Sequence, residues 1–403
     1  PSSSSSSSSL STNTPLGRVP PSNAEAVDVR FDVVIPDMSA NLEEPLDPGE
    51  PLPERLKTLI WCKSFLVEAK EGEEANNVIG VEPMPGLPNV HHMHLHVCDP
   101  DSAAWKRHRR MYADVDDSQP GAPARGKLPL SCFPPSWERG SGCHGTAWTF
   151  LPGQSTVMFP PGVGMKIGLG HQDLRHLVLE VHYDMAHELA GVPDRSGIRL
   201  WAVQQPVVQH RMGVLSVADP FAKFPQDLPP GEPSVEVNIF CPPGCTQKFP
   251  TPVHVFASMT HAHMRARYVL TAVGTPGPDG QVPRGGWTDV VEASAAQFEH
   301  HAQHFEAVNF TIDKGDSLRT TCRYDTSQDT QPVHFGPATS DEMCMQVFLY
   351  WPKQYTFLCG YYGEKVYWCG DAGGFVRKTG TDARFHAESC IVGGDVSGVG
   401  GKG

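Results

Sequence analysis

The chain has 403 residues, of which 39% are hydrophobic, so it is long enough to bury the cores of two ordinary domains. Its formal net charge is −13, and it has no basic stripe to neutralise phosphates, which argues against a nucleic-acid partner and against adhesion to an anionic membrane. No apolar run approaches the roughly 20 residues that a membrane-spanning helix needs.

The two ends of the chain lack the composition of a folded core. Residues 1–24 include eight consecutive serines and several prolines, so we predict a disordered segment there. Residues 371–403 are predicted to be a C-terminal extension that ends in a glycine-rich tail. Because the sequence starts at Pro1 rather than at methionine, it suggests a processed or trimmed product.

Between these ends, short apolar runs bounded by proline or glycine predict many strands and few helices. The predicted strands cover residues 27–34, 59–67, 90–97, 177–183, 207–217, 235–240, 253–263, 308–312 and 345–350. Residues 289–304 could form either a helix or a long loop. We therefore predict an all-β fold with two antiparallel β-sandwich domains, at residues 25–198 and 199–370.

Histidines and one methionine carry the strongest chemical signal in the sequence. They are His91, His92, His94, His96, His182, His261, His263 and Met343. Imidazole suits copper, iron, nickel and zinc, whereas a thioether ligand indicates Cu(I). This combination favours copper redox chemistry over hydrolysis.

The spacing of these histidines determines which of them can share a site. Successive side chains of a strand face opposite ways, so His261 and His263 leave the same face and form one half of a metal site. The adjacent His91 and His92 would point to opposite faces unless a bulge re-aims one of them. The alternative set is His92 with the two histidines that follow it at every second position. The pattern by itself leaves both arrangements open.

Three tetrapeptides follow the His-His-Met stretch in a fixed order. They are Glu180-Val181-His182-Tyr183, Thr260-His261-Ala262-His263 and Asp341-Glu342-Met343-Cys344. This set resembles the copper type II, ascorbate-dependent monooxygenases, a family that includes peptidylglycine α-hydroxylating monooxygenase and dopamine β-monooxygenase. The similarity covers roughly residues 27–360.

The resemblance implies two jelly-roll-like β-sandwiches that face each other across a solvent-filled cleft, each with one of two copper ions. The implied ligands are His91, His92 and His182 for an electron-transfer copper, and His261, His263 and Met343 for the catalytic copper that activates O₂. Ascorbate is the implied reductant, and O₂ is the implied co-substrate. The family pattern prefers the adjacent histidine pair, and it usually carries apolar or aromatic residues where His94 and His96 stand.

Eleven scattered cysteines, none of them in a CxxC pair, indicate disulfides and a location that is secreted or in the secretory-pathway lumen. Asn309-Phe310-Thr311 is an N-glycosylation sequence, consistent with that location. The resemblance implies the pairs Cys62–Cys132, Cys98–Cys143 and Cys322–Cys344, a bond from Cys359 to Cys245 or Cys241, and a C-terminal loop closed by Cys369 and Cys390.

The residues expected to line the substrate site depart from the peptidylglycine branch of the family. That branch binds the substrate carboxylate with an arginine and a tyrosine, and these positions are occupied here by Met259 and Val347. Together with Met345 and Leu349, they predict an unusually apolar pocket. A carboxylate buried there without a cationic partner would be costly.

Three functions are therefore compatible with the sequence. The one that we expect is hydroxylation of the glycine α-carbon of C-terminally Gly-extended peptides, the first step of peptide amidation, with Arg265 or Arg267 supplying the missing cation. The second is β-hydroxylation of an aromatic amine or another small substrate. The third is a non-catalytic, secreted copper-binding β-sandwich protein. If the chain serves peptide amidation, a lyase domain, which completes that reaction in some relatives, is expected to have been removed from the chain or to follow it.

Overall fold

The computed structural model describes most of both predicted domains. The described residues are 16–35, 59–68, 75–98, 143–168, 173–204, 208–218, 227–298, 303–336, 340–354, 358–362, 366–368 and 375–377. Cys132, Cys369 and Cys390 lie outside them, as do residues 1–15 of the segment predicted to be disordered.

The N-terminal half contains two main sheets. Its strands are β1 (Glu25–Arg30), β2 (Val33–Val34), β3 (Leu59–Leu66), β4 (Ala75–Met84), β5 (Val90–Cys98), β6 (Cys143–Phe150), β7 (Val157–Met158), β8 (Val163–Gly168), β9 (His176–Tyr183), β10 (Pro193–Asp194), β11 (Gly197–Val203) and β12 (His210–Arg211). One sheet has the order β1-β11-β4-β8-β12, with β7 paired to β4, and the other has the order β3-β9-β5-β6. A short ribbon pairs β10 with β2, and a 3-10 turn covers Ala186–Leu189.

The C-terminal half also contains two sheets. Its strands are β13 (Gly213–Ala218), β14 (Val235–Cys241), β15 (Val253–Ala262), β16 (Ala266–Gly274), β17 (Trp287–Ser294), β18 (Glu306–Ile312), β19 (Ser317–Tyr324), β20 (Cys344–Trp351), β21 (Leu358–Tyr362), β22 (Val366–Trp368) and β23 (Phe375–Arg377). The orders are β18-β15-β20-β13-β21-β22-β23 and β14-β19-β16-β17. Among the described residues of this half, two single-turn helices, α1 (Pro243–Thr246) and α2 (Ala295–Phe298), interrupt the strands. The predicted all-β fold is confirmed.

Alternation of side chains explains why the central strands form and which face each of them buries. On β9, Leu177, Leu179 and Val181 pack into the hydrophobic core, whereas Glu180 and His182 lie on the opposite face of the strand. The strand thus stabilises the fold with one face and presents ionisable groups with the other.

Strand pairing indicates a boundary between the two halves that lies later in the chain than the predicted one. β11 extends beyond the predicted limit at residue 198 and pairs with β1 and β4 of the N-terminal half. β12 also pairs within that half, through β8, whereas β13 pairs with β20 of the C-terminal half. Strand pairing therefore indicates a division near Met212. Composition suggested an earlier limit because the polar stretch at residues 193–197 reads as a linker, although it forms a ribbon strand and a turn.

Both predicted terminal segments contain ordered structure. Residues 16–24 pack on the N-terminal half, where the backbone oxygen of Gly17 accepts the N–H of Met158 at 2.8 Å. In the predicted C-terminal extension, β23 pairs with β22 and lengthens the sheet. The expectation of a helix or loop at residues 289–304 is also wrong for its first part, because β17 continues to Ser294 and pairs with β16. As an edge strand, β17 buries few side chains, so its apolar signal is weak.

The two halves touch through an apolar interface. Trp148 packs against Phe305 with ring centroids 5.1 Å apart, and Phe159 packs against Phe256 at 6.4 Å. The resemblance implied a solvent-filled cleft here, but the described parts of the facing sheets are in contact because their apolar side chains are buried in a shared core cluster. No helix among the described residues is long and apolar enough to cross a membrane.

Candidate metal centres

The first histidine cluster is built by a bulge in β5, opposite β9. Val90 lies opposite Tyr183, but His92 lies opposite His182, so one extra residue is inserted on the β5 side. The extra residue is His91, whose ring lies 5.4 Å from that of His92 and 5.0 Å from that of His182. The structure therefore brings together the adjacent pair and His182.

The three rings direct their Nδ1 atoms towards one point. Nδ1 of His92 lies 3.2 Å from Nδ1 of His91 and 3.2 Å from Nδ1 of His182. Nitrogen ligands about 2.0–2.1 Å from a shared tetrahedral metal ion would be about 3.4 Å apart, so the donors fit such an ion. Burial, with repulsion from the neighbouring rings, lowers the pKa of His92 well below its usual value, and burial lowers the pKa of His182. Both rings are therefore neutral near pH 7, the form that binds a metal.

The second histidine pair lies on β15, after a bulge that turns the face of the strand. One extra residue, Phe256, is inserted opposite β20. Beyond it, Ala257 packs in the core that both halves share, so alternation carries His261 and His263 to the same side. Their ring centroids lie 5.2 Å apart. The shared face predicted for these two histidines is thus the face that meets the N-terminal half.

Each ring of this pair is oriented through its Nδ1 atom. Nδ1–H of His261 donates to Oε1 of Gln303 at 2.6 Å, and Nδ1–H of His263 donates to the backbone oxygen of Asp341 at 2.9 Å. These bonds fix the tautomer and leave the Nε2 lone pairs for a metal ion. Burial, with a contribution from His263, lowers the pKa of His261 to about 3, so this ring is neutral at physiological pH.

Met343 immediately precedes β20, beside the end of β15. Ala262 lies opposite Cys344, and the same antiparallel register, continued by one residue, places His263 opposite Met343. The hydroxyl of Tyr324 donates to the backbone oxygen of Met343 at 2.9 Å. The register thus places the backbone of Met343 beside the end of the strand that carries the histidine pair.

Glu342 ties the ends of the two ligand strands together. Its fully buried carboxylate accepts the backbone N–H of His263 at 3.1 Å and that of Arg265 at 2.7 Å. Burial raises the pKa of Glu342 to about 7, although these hydrogen bonds oppose the rise.

The two clusters approach each other across the interface between the halves. The ring centroids of His91 and His263 lie 6.3 Å apart. The predicted electron-transfer and oxygen-binding ligands are therefore neighbours in this structure.

The four residues predicted to line the substrate pocket gather on the same sheet face as the second histidine pair. Met259 lies opposite Val347 in the pairing of β15 with β20. Both are buried with Leu349 in the core cluster that the halves share, and Met345 packs against it. From the N-terminal half, Nε2–H of Gln154 donates to the sulfur of Met259 at 2.6 Å. The predicted pocket is packed rather than open.

The two candidate cations are held by other groups. Nε and Nη2 of Arg265 donate to the two carboxylate oxygens of Asp329 at 2.9 and 2.7 Å, and Nη1 donates to the backbone oxygen of Ser340 at 2.8 Å. Nε of Arg267 lies 3.7 Å from a carboxylate oxygen of Asp325. Neither guanidinium reaches the pocket face while these contacts persist.

The groups that orient the second pair had no sequence signal. Gln303 is 42 residues from His261, and Asp341 is 78 residues from His263, so no local pattern connects either pair. Glu180 did have a signal, because it precedes His182 by two residues on one strand and therefore shares its face.

The structure joins Cys98 to Cys143 and Cys322 to Cys344, the pairs that the resemblance implies. Cys359 bonds to Cys241 rather than to Cys245. The sulfur atoms of Cys241, Cys245 and Cys359 lie within 4.8 Å of one another. Because Cys241 and Cys245 are only four residues apart, sequence position could not show which of them bonds to Cys359. Cys62 and Cys245 are also disulfide-bonded, and Cys132, the predicted partner of Cys62, lies outside the described residues.

Two family models match the chain. The N-terminal and C-terminal domains described as "Copper type II ascorbate-dependent monooxygenase" match residues 48–190 and 211–369. The second range begins close to the division at Met212, and the two ranges together contain all six predicted metal ligands.

Curated relatives agree with these matches. The chain is 26% identical over 316 residues to "DBH-like monooxygenase protein 1" of Gallus gallus, covering 75% of this chain and 46% of the relative. It is 25% identical over 315 residues to "Dopamine beta-hydroxylase" of Homo sapiens, covering 75% and 45%. It is 24% identical over 290 residues to "Tyramine beta-hydroxylase" of Caenorhabditis briggsae, covering 70% and 44%. The chain thus spans about half the length of the curated relatives that it matches.

Likeness to solved structures is weak. The chain in "Crystal Structure of the STIV MCP" matches with a TM-score of 0.28 and 9% identity, covering 74% of this chain and 97% of that chain. This level of likeness supports no inference about fold or function.

Proposed function

Since this chain belongs to the copper type II ascorbate-dependent monooxygenase family, we propose that it hydroxylates a C–H bond of a small substrate with O₂, two copper ions and ascorbate. The observation that carries this proposal is the pair of histidine clusters, whose facing rings, His91 and His263, lie 6.3 Å apart. One oxygen atom of O₂ enters the C–H bond. The other leaves as water, with two electrons from ascorbate and two protons.

The two clusters suit different tasks in this reaction. Bound copper would supply one-electron transfer at one cluster and activation of O₂ at the other. The proposed ligands are His91, His92 and His182 for the first ion, and His261, His263 and Met343 for the second. A thioether stabilises Cu(I), the state that binds O₂, so the cluster with Met343 is assigned to the oxygen chemistry.

The apolar residues beside the second cluster would keep water from the reacting carbon. Met259, Val347 and Leu349 are each no more than 2% exposed. Because Gln154 holds Met259 from the opposite half, a substrate must displace this contact to reach the oxygen site.

An amine is the substrate class that we favour. The guanidinium groups of Arg265 and Arg267 are held by carboxylates, which removes the cations that a C-terminal carboxylate would need. Glu306 lines a cavity of about 210 Å³ together with Phe305, and its carboxylate lies 3.7 Å from Nε2 of His304, a contact that an ammonium group of the substrate would replace. The cavity lies close to the oxygen site along the chain, since Phe305 follows Gln303 by two residues.

The Gly-extended peptide expected from the sequence is the second candidate. One observation favours it, because Arg18 lines the same cavity and offers a cation for a carboxylate. Glu306 and Arg18 therefore give the two substrate classes opposite requirements at one place.

The test uses copper-loaded protein with ascorbate and O₂, and offers tyramine beside a Gly-extended peptide. We expect tyramine to be hydroxylated, and Glu306→Gln to raise KM for tyramine about tenfold, since hydrogen bonds to charged groups contribute about 1.5–3 kcal/mol. Arg18→Gln should leave KM for tyramine unchanged. The opposite pattern, peptide turnover that depends on Arg18, would establish the second candidate.

Two other outcomes would contradict the proposed chemistry. Binding of a single copper ion per chain would remove the two-site interpretation. Binding of two copper ions with turnover of neither substrate would favour a non-catalytic copper-binding protein. We further propose that the protein is secreted or lies in the secretory-pathway lumen, since the disulfides that join its strands require an oxidising compartment.

A further inference from the structure

One face of the sheet β3-β9-β5-β6 carries donor groups that the two histidine clusters do not use. β5 turns Met93 and Leu95 into the hydrophobic core, so the alternate residues His94 and His96 lie on the opposite face. On the neighbouring β9, Glu180 lies directly opposite His94. Cross-strand neighbours have Cβ atoms about 5 Å apart, so their side chains can meet.

The side chains of this face converge on the carboxylate of Glu180. Its Oε2 lies 3.4 Å from Nε2 of His96, and its Oε1 lies 3.9 Å from Nε2 of His92. One ligand atom each from His92, His94 and Glu180 lie within 4.8 Å of one another. The side chains of Glu180, His96 and His92 are only 13%, 9% and 16% exposed. The group is therefore compact and mostly buried.

His92 faces both groups with different nitrogen atoms. Its Nδ1 belongs to the first cluster, 3.2 Å from the Nδ1 atoms of His91 and His182, whereas its Nε2 faces Glu180. When a neutral imidazole also loses its N–H proton to solvent, the resulting imidazolate can bind a metal ion at each nitrogen, so one ring can bridge two ions. The ring of His92 has the orientation that such a bridge requires.

The remaining contacts leave this group with donor atoms and with a buried carboxylate whose partners are imidazoles. Nδ1 of His94 lies 3.0 Å from Oγ1 of Thr149, and with Nδ1–H donating there, Nε2 keeps its lone pair. A carboxylate as buried as that of Glu180 needs a positive partner, and among the described residues its ion pairs are with imidazoles rather than with lysine or arginine. A cation at this point would supply the missing charge.

We propose that the chain binds a further divalent cation at His94 and Glu180, with His92 bridging it to the first cluster and His96 hydrogen-bonded to the carboxylate. Imidazole and carboxylate donors suit Zn²⁺ or Cu²⁺, whereas Cu(I) prefers sulfur ligands. Cys62 lies opposite Glu180 on β3, but its sulfur is part of a disulfide and is no thiolate ligand. The same site would form whichever substrate is hydroxylated.

Metal counting tests the site directly. Metal-free protein is loaded with two equivalents of Cu²⁺, then exposed to excess Zn²⁺, desalted and analysed by inductively coupled plasma mass spectrometry. Because sites of this kind prefer copper to zinc, Zn²⁺ should not displace the bound copper. We expect two copper ions and one zinc ion per chain.

Two variants should lose the zinc ion and keep both copper ions. They are His94→Leu, which removes an imidazole from a strand position that can hold an apolar side chain, and Glu180→Gln, which keeps the shape of the carboxylate. His334→Leu is the control, since the exposed His334 also meets a carboxylate, with Nδ1 2.8 Å from Oδ2 of Asp227, and it should retain all three ions. Zinc uptake that is absent from the wild type, or that survives in both variants, would overturn the proposal.

Electron paramagnetic resonance tests the bridge. With Cu²⁺ in both the first cluster and this site, a bridging His92 couples the two unpaired electrons, and the signal of both ions is lost. Zn²⁺ in this site should restore the signal of the first cluster, and His94→Leu should show it throughout. An undiminished signal with Cu²⁺ in every site would overturn the bridging role of His92.

Discussion

The two histidine clusters reach comparable donor sets by different structural means. In the N-terminal half, the bulge falls on the ligands themselves, and the rings are positioned by two neighbouring strands and by one another. In the C-terminal half, the bulge at Phe256 lies upstream, and each ring is oriented by an oxygen atom from a distant part of the chain. The first cluster thus depends on the backbone of one sheet, and the second depends on remote hydrogen-bond acceptors.

The largest expected effect comes from removing the ligand that distinguishes the clusters. We expect Met343→Ala to lower hydroxylation more than about a hundred-fold, since losing even an outer partner of a metal ligand costs 10- to 100-fold. Copper in the first cluster and the melting temperature should change little. Turnover under copper, ascorbate and O₂ measures the first effect, and metal analysis measures the second.

Met264→Ala is the matched control for this change. Met264 is 72% exposed, at the turn after β15, and its loss should leave turnover unchanged. Equal losses in both variants would mean that the effect of Met343→Ala is structural.

The next effect concerns the acceptor that orients His261. Gln303→Leu removes it, so copper affinity of the second cluster should fall about 10- to 100-fold, as measured by competition with a chelator. Gln303→Glu keeps an acceptor oxygen and should restore most of the affinity. Thr149→Val, which removes the acceptor beside His94, should leave copper binding at the first cluster unchanged. Loss of affinity in Gln303→Glu as large as in Gln303→Leu would rule out the orienting role.

A disulfide in each half allows the two clusters to be compared, because each of these bonds joins the strand that carries or follows a proposed ligand to another part of the same half. Cys322→Ala with Cys344→Ala opens a bridge between residues 22 apart in sequence, next to Met343, and should lower the free energy of unfolding by about 3 kcal/mol. Copper retention should fall at the second cluster only. The matched change at Cys98 and Cys143 should weaken the first cluster instead, as chemical denaturation and metal analysis of both variants would show. Identical copper losses in the two variants would contradict this local effect.

The smallest expected effect lies far from both clusters, at the ion pair between Asp28 on β1 and Arg199 on β11. A hydrogen bond from Arg199 lowers the pKa of Asp28 below its usual value, although partial burial opposes this. The pair therefore stabilises the fold at pH values above the usual pKa of an aspartate. This contribution is lost as the pH falls through the lowered pKa of Asp28. Asp28→Asn should cost less than about 1 kcal/mol at pH 7, because solvent screens a partly exposed pair.

Thermal unfolding across pH checks this sign. The difference between wild type and Asp28→Asn should shrink as the pH is lowered through the acidic range. A difference that grows on acidification would contradict the assigned direction. Copper binding should be the same in both proteins, which would show that the contrast between the clusters is local.

Sequence alternation predicted the strands that bear ligands better than the strands that support them. The segments around His91, His182 and His261 were predicted because apolar residues recur there at every second position. β17 was missed because it is an edge strand with few buried residues. β11 was cut by the predicted boundary because its neighbours in the sheet are remote in sequence.

The sequence by itself determined the chemistry of the candidate site. The residue types indicate copper, the spacing of His261 and His263 places them on one face, and the alternation of β9 places Glu180 beside His182. These properties are local, since a strand repeats every two residues whatever it pairs with.

Only the tertiary structure decided how the ligands meet. It inserted the bulge that joins His91 to His92, recruited Gln303 to His261, and selected Cys241 over Cys245 for the bond to Cys359. Each outcome depends on the register between segments far apart in sequence, which is set by packing of whole sheets. No local pattern encodes that register, because a shift of one residue leaves the sequence of each strand unchanged while it turns every side chain to the other face.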